Sequence, residues 1–161
     1  MSVEPEADLN LFFDRIDQWI TSANFLKSKV PVERADEILS LTHEQIATMP
    51  SEQILTAVFD LYGYIDSLQV VANREKGILE YCEDSVWRII APVINNYGDS
   101  YVKMDIKYNL AVKENPLAQK INVLKITTRA RLTSLEHRIE HVKKRADVLY
   151  DIAKRRKSEH F

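Results

Sequence analysis

Residues 131–157 read RLTSLEHRIEHVKKRADVLYDIAKRRK, and two patterns run through them. Leu132, Leu135, Ile139, Val142, Ala146, Leu149 and Ala153 alternate three and four apart, the spacing of an apolar seam on a helix that packs against another helix. Beside that seam Arg131, Arg138 and Arg145 recur every seven residues on one flank, with Lys143 and Lys157 on the other. The spacing predicts one helix from about 117 to 157 and asks for an antiparallel partner.

The partner lies upstream. Ile54, Val58, Leu61, Ile65, Leu68, Ala72, Glu75, Leu79, Cys82, Val86, Ile89 and Val93 repeat the same alternation, with Glu75 the one charge in the series. A charged residue in a seam reads as a device that fixes register. Pro92 and Gly98 predict a kink or break at the end of this helix. Tyr97, Tyr101, Met104, Tyr108 and Val112 continue the helical spacing in a new phase. The reversal is KENPLAQK, residues 113–120, where Asn115 before a proline disfavours helix and Pro116 suits a helix start. Two long helices joined by a short reversal pack antiparallel.

The N-terminal third reads as shorter pieces. Residues 1–8 are expected to lack structure, and Asp8 is a plausible N-cap for a first helix carrying Leu9, Phe12, Ile16, Trp19 and Ile20, which fades near KSKVPVE. A short helix is expected over 32–39. Thr42 and Gln45 form a capping box for another short turn that Pro50 stops.

Composition agrees with this reading. Three glycines and five prolines in 161 residues are too few for a turn-rich β-protein. The expected fold is all-α: a long antiparallel, coiled-coil-like helical hairpin over 51–161, with an acidic short-helix region over 1–50. One cysteine, Cys82, forms no internal disulfide and fits a reducing compartment. No signal peptide and no membrane-spanning run stand out, so the expected location is cytoplasmic.

Charge is unevenly spread. Residues 1–66 hold four Lys/Arg against twelve Asp/Glu, a balance of −8, whereas residues 125–161 hold eleven against five, a balance of +6. The flanks of helix 52–93 supply one glutamate, Glu83, in twelve positions, so the arginine row needs an anion from elsewhere. Either the acidic N-terminal region or nucleic-acid phosphate could provide it. Arg131, Arg138, Lys143, Lys144, Arg145, Lys154, Arg155, Arg156 and Lys157 are the candidate phosphate ligands. Lys103 and Lys107, set among Tyr97, Tyr101 and Tyr108, form a second basic-aromatic patch of the kind that suits single strands. The broad apolar face of helix 52–93, with Ala57, Tyr64, Val71 and Ile78 beside its seam, calls for further helices. These are the N-terminal ones or a second copy, and a homo-oligomer held at Ile65, Leu68, Leu79, Val86, Leu135, Ile139 and Val142 is expected.

No enzymatic constellation is visible. His137 and His141 stand four apart, but HRIEH is not the zinc-hydrolase order and no third ligand is identifiable, so neither metal nor cofactor is expected. In pattern, LYGYIDSLQVVANREKGILEYCEDSVWRII, the reversal VKENPLAQK and the closing basic stretch resemble the UvsY-type recombination mediators of tailed phages. The resemblance covers about residues 52–157. It implies a non-enzymatic, oligomeric accessory protein that binds single-stranded DNA and a recombinase or single-strand binding protein. The family's lysine-arginine-tyrosine segment has only a loose counterpart in VKMDIKYNLAVK, residues 102–113. The other reading is a protein-interaction module, an assembly scaffold or host-factor inhibitor, that docks an acidic partner on its basic helix.

Overall fold

A computed structural model describes residues 5–22 and 30–158. Its elements are α1 (Pro5–Ser22), α2 (Val32–Ser40), α3 (His43–Thr48), α4 (Ser51–Ile90), a 3-10 turn (Ile94–Asn96), α5 (Met104–Glu114) and α6 (Pro116–Ser158). No strand occurs among the described residues. The all-α class and the packing of one long helix on another are as the seams predict. The first helix starts at Pro5, before the expected cap at Asp8.

Contacts divide the chain into two compact units, residues 1–72 with 135–161 and residues 73–134. The divisions therefore fall inside α4 and α6, and residues 30–50 belong to the same unit as the α4 and α6 segments they cover. In this first unit Ile54, Ala57, Val58, Leu61 and Tyr64 of α4 pack with Val142, Ala146, Leu149 and Ala153 of α6. Ala35 and Ile38 of α2 and Ile46 of α3 close the same cluster. The Tyr62 hydroxyl donates to Asp147 Oδ1 at 2.7 Å, which fixes the antiparallel register and raises the tyrosine pKa, since ionisation would forfeit that bond.

The broad apolar face of α4 is thus covered here by α2 and α3 of the same chain. Ala57 and Tyr64 are buried beneath them, whereas Val71 stays exposed. Of the two sources of cover that the sequence allows, the N-terminal helices supply this part of it. By length and hydropathy α4 reaches the range of a membrane-crossing helix. Its residues Ile54, Ala57, Val58, Leu61 and Tyr64 lie in this core, and its Asp60 accepts from Arg34 Nε at 3.0 Å.

In the second unit Ile78, Cys82, Val86 and Ile90 of α4 are buried, as are Ala111 and Val112 of α5 and Ala118, Ile121 and Thr128 of α6. Burial pushes the Cys82 thiol pKa up, the chemistry of a core residue and not of a nucleophile. Helix α4 ends at Ile90 because Pro92 cannot continue it. Regular helix resumes only at Met104, so the expected continuous spacing from Tyr97 is replaced by a 3-10 turn and a loop. Asn115 does more than reverse the chain: its Oδ1 accepts from Ala118 N at 3.0 Å and caps α6.

Gly98 makes that loop possible. Its φ of +114° lies where side chains are strained, and a Cβ added there would sit 2.7 Å from Val102 Cγ2. Gly98→Ala is expected to destabilise the protein by about 1–3 kcal/mol in urea unfolding.

Candidate functional site

The basic flank of α6 is the strongest sequence-level candidate, and its arginines meet protein. In the second unit Arg131 Nε donates to Glu75 Oε2 at 2.9 Å, and its Nη2 donates to Thr128 Oγ1 at 3.3 Å. Glu75 is only 6% exposed and also accepts from Arg74 at 3.1 Å. The lone seam acid is therefore the counter-ion of the first arginine, consistent with a role in register. Arg129, outside the candidate set, pairs with Glu83.

In the first unit Arg138 donates to Asp36 of α2 at 2.7 Å. Arg145 donates to the carbonyl of Leu41, the residue that follows α2. Its Nε is buried without an acceptor among the described residues. Arg156 is the most engaged: Nη1 donates to the Met49 carbonyl at 2.6 Å, and Nη2 to those of Ile46 and Ala47 at 3.0 and 3.2 Å. These carbonyls close α3, where a helix of six residues has few internal donors to offer. A cation at a helix C-terminus also meets the negative end of the helix dipole.

Lysines behave differently. Lys143, Lys154 and Lys157 are exposed. Lys144 pairs with Glu140 one turn earlier at 2.7 Å, and that contact lowers the Glu140 pKa. Arg155 is exposed too. In the second patch Lys103 is exposed and Tyr101 is 96% exposed, but Lys107 is 7% exposed. Lys107 thus belongs to the packed side of α5 and does not extend the patch. Tyr97 donates to Glu114 Oε2 at 3.0 Å, and Tyr108 packs its ring 5.4 Å from that of Trp87 while its hydroxyl accepts from Lys125.

Among the expected seam residues Val86 and Val142 are fully buried, and Ile65, Leu68, Leu79, Leu135 and Ile139 are half-buried. His137 and His141 are both exposed, and no group of three metal-ligating side chains occurs among the described residues.

What the sequence reading missed is a set of exposed apolar side chains in the second unit. Trp87, Met104, Ile106, Leu110, Val123 and Ile126 are each between 40% and 63% exposed. The signal was present at Val123 and Ile126, which stand three apart off the main seam of α6.

Neither a protein-family model, nor a curated protein, nor a solved structure matches the chain.

If Arg156 closes α3, Arg156→Ala should cost about 1–2 kcal/mol of stability in urea unfolding. Lys154→Ala, two residues away and exposed, should change it by less than about 0.5 kcal/mol. Equal, negligible effects would mean that the arginine is merely solvated.

Proposed function

We propose that this protein is a non-enzymatic helical interaction module that self-associates and docks partner helices on the apolar surface of residues 73–134. The observation that carries this reading is the pairing of exposed large apolar side chains at helical spacing on α5 (Ile106, Leu110) and α6 (Val123, Ile126). Single exposed apolar residues are ordinary, but a run of them within one small unit is what interaction surfaces have. The arginine flank supports the same reading by default. Turning Arg131 to a phosphate would leave the buried Glu75 with Arg74 alone, and turning Arg156 away would take one donor from the carbonyls of Ile46, Ala47 and Met49.

A second reading, a single-stranded-DNA accessory protein acting beside a recombinase or single-strand binding protein, keeps one observation in its favour. Tyr101 projects almost wholly into solvent two residues from exposed Lys103, an arrangement on which a base could stack while the lysine meets phosphate. It also matches what the UvsY-type resemblance implies. The exposed lysines Lys143, Lys154 and Lys157 would add charge.

Two measurements separate the readings. Partners cross-linked in extract of the source cells should be retained by the wild type and lost from Val123→Asp/Ile126→Asp. A labelled oligothymidylate should show no salt-dependent binding. Binding that weakens with salt and falls in Tyr101→Ala/Lys103→Gln, with no partner lost from the aspartate variant, would replace the first reading by the second.

A further inference from the structure

In the first unit, α2 lies along the flank of α4 and α6 that carries Asp60 and Arg138, each bonded to it. On the opposite flank aromatic rings face solvent: Phe59 is 76% exposed, Tyr150 50% and Tyr62 39%. Phe59 has no polar atom to offer water, and among the described large apolar residues only Tyr101 is more exposed.

One bond brings the three rings together. Tyr62 of α4 donates to Asp147 of α6 at 2.7 Å, and the two helices run antiparallel. Phe59, one turn back along α4, therefore stands level with Tyr150, one turn on along α6. The Tyr62 pKa is raised first by the bond to Asp147 and next by burial, and Tyr150 adds to the shift as a near neighbour.

Charge on this flank is sorted by helix. Two turns to either side of Phe59, on its own face of α4, stand Glu52 and Asp66. Two turns to either side of Tyr150, on its own face of α6, stand Lys143 and Lys157. All four are exposed, and none has an ion-pair partner among the described residues. Nearer the middle are Asp151, Lys154 and the Asp147 that Tyr62 holds. A partner of one sign would meet like charge on one helix or the other, whereas a second copy matches both. Rotation about a two-fold axis parallel to the helices lays α4 of each copy over α6 of the other. Phe59 then meets Tyr150 of the partner subunit, and the two acids meet the two lysines at the same heights. An axis across the helices would set Glu52 against Asp66 and Lys143 against Lys157, like against like.

We infer that two copies pair through this flank as a symmetric dimer, α4 of each lying over α6 of the other. The inference rests on the self-association in the proposed function and supplies its surface. Docking of partner helices by residues 73–134 is a separate claim.

Sedimentation equilibrium on the full chain tests it. Wild-type mass should approach twice the 18.7 kDa of one chain as concentration rises. Phe59→Asp, at an exposed position, should stay at the mass of one chain with unchanged helicity. Asp66→Lys and Lys143→Asp should each weaken the dimer about tenfold, because each sets like charges face to face twice per dimer. The two combined in one chain should restore it. A dimer indifferent to Phe59→Asp or to either charge change, or a combined variant as weak as the single ones, overturns the inference and leaves self-association to another surface. A wild type that stays one chain at every concentration overturns both the inference and self-association. The docking role of residues 73–134 is then still judged by the partners cross-linked to Val123→Asp/Ile126→Asp, so the failures are distinguishable.

Discussion

The last carbonyls of a helix have no donor within it, and in a helix of six residues they are most of what the helix has to satisfy. Helix α3 meets this constraint with one side chain from far along the chain, Arg156, which donates to the carbonyls of Ile46, Ala47 and Met49. Arg145 donates to the carbonyl of Leu41, just past α2, and Arg138 holds α2 through Asp36. Burial of Ala35, Ile38 and Ile46 gives the two short helices a reason to lie on the long ones. The arginines set where they lie, because a guanidinium presents several donors in a fixed plane and matches paired oxygen acceptors.

This places Arg131, Arg138, Arg145 and Arg156, four of the eleven basic residues of that end, whereas Lys143, Lys154, Arg155 and Lys157 stay exposed. The basic end of an acidic chain meets that chain, through one carboxylate on α2, one buried glutamate on α4 and a series of backbone carbonyls. The exposed apolar stripes of α5 and α6 belong to the second unit, whereas the arginine contacts with α2 and α3 belong to the first.

Much of the fold was legible because it rests on periodicity and on local chemistry. The seams of α4 and α6 place Ile54, Leu61, Val86, Val142 and Leu149 inside, and all five are buried. Thr42 and Gln45 make the reciprocal cap that their spacing predicts. Pro92 and Pro116 mark a helix end and a helix start. The partners of the arginines were harder to read. Counting acids along the expected partner helix misses backbone carbonyls, which every residue type carries, and it misses contacts to α2 and α3, more than a hundred positions away for Arg138, Arg145 and Arg156. Lys107 was placed with the surface cations although its stretch of α5 turns it inward. The exposed stripe at Val123 and Ile126 was overlooked because attention to a seam discounts apolar residues lying off it.

The claim on which the rest depends is that the basic flank of α6 is bonded within the fold. A double-mutant cycle in urea unfolding, with Glu75→Gln, Arg131→Met and the combined variant, measures it at the pair with the most buried acid. The account predicts a favourable coupling of about 0.5–1.5 kcal/mol between the two positions. Additive effects, with no coupling, would mean that Arg131 is unattached in solution and open to an external anion, and would contradict the account.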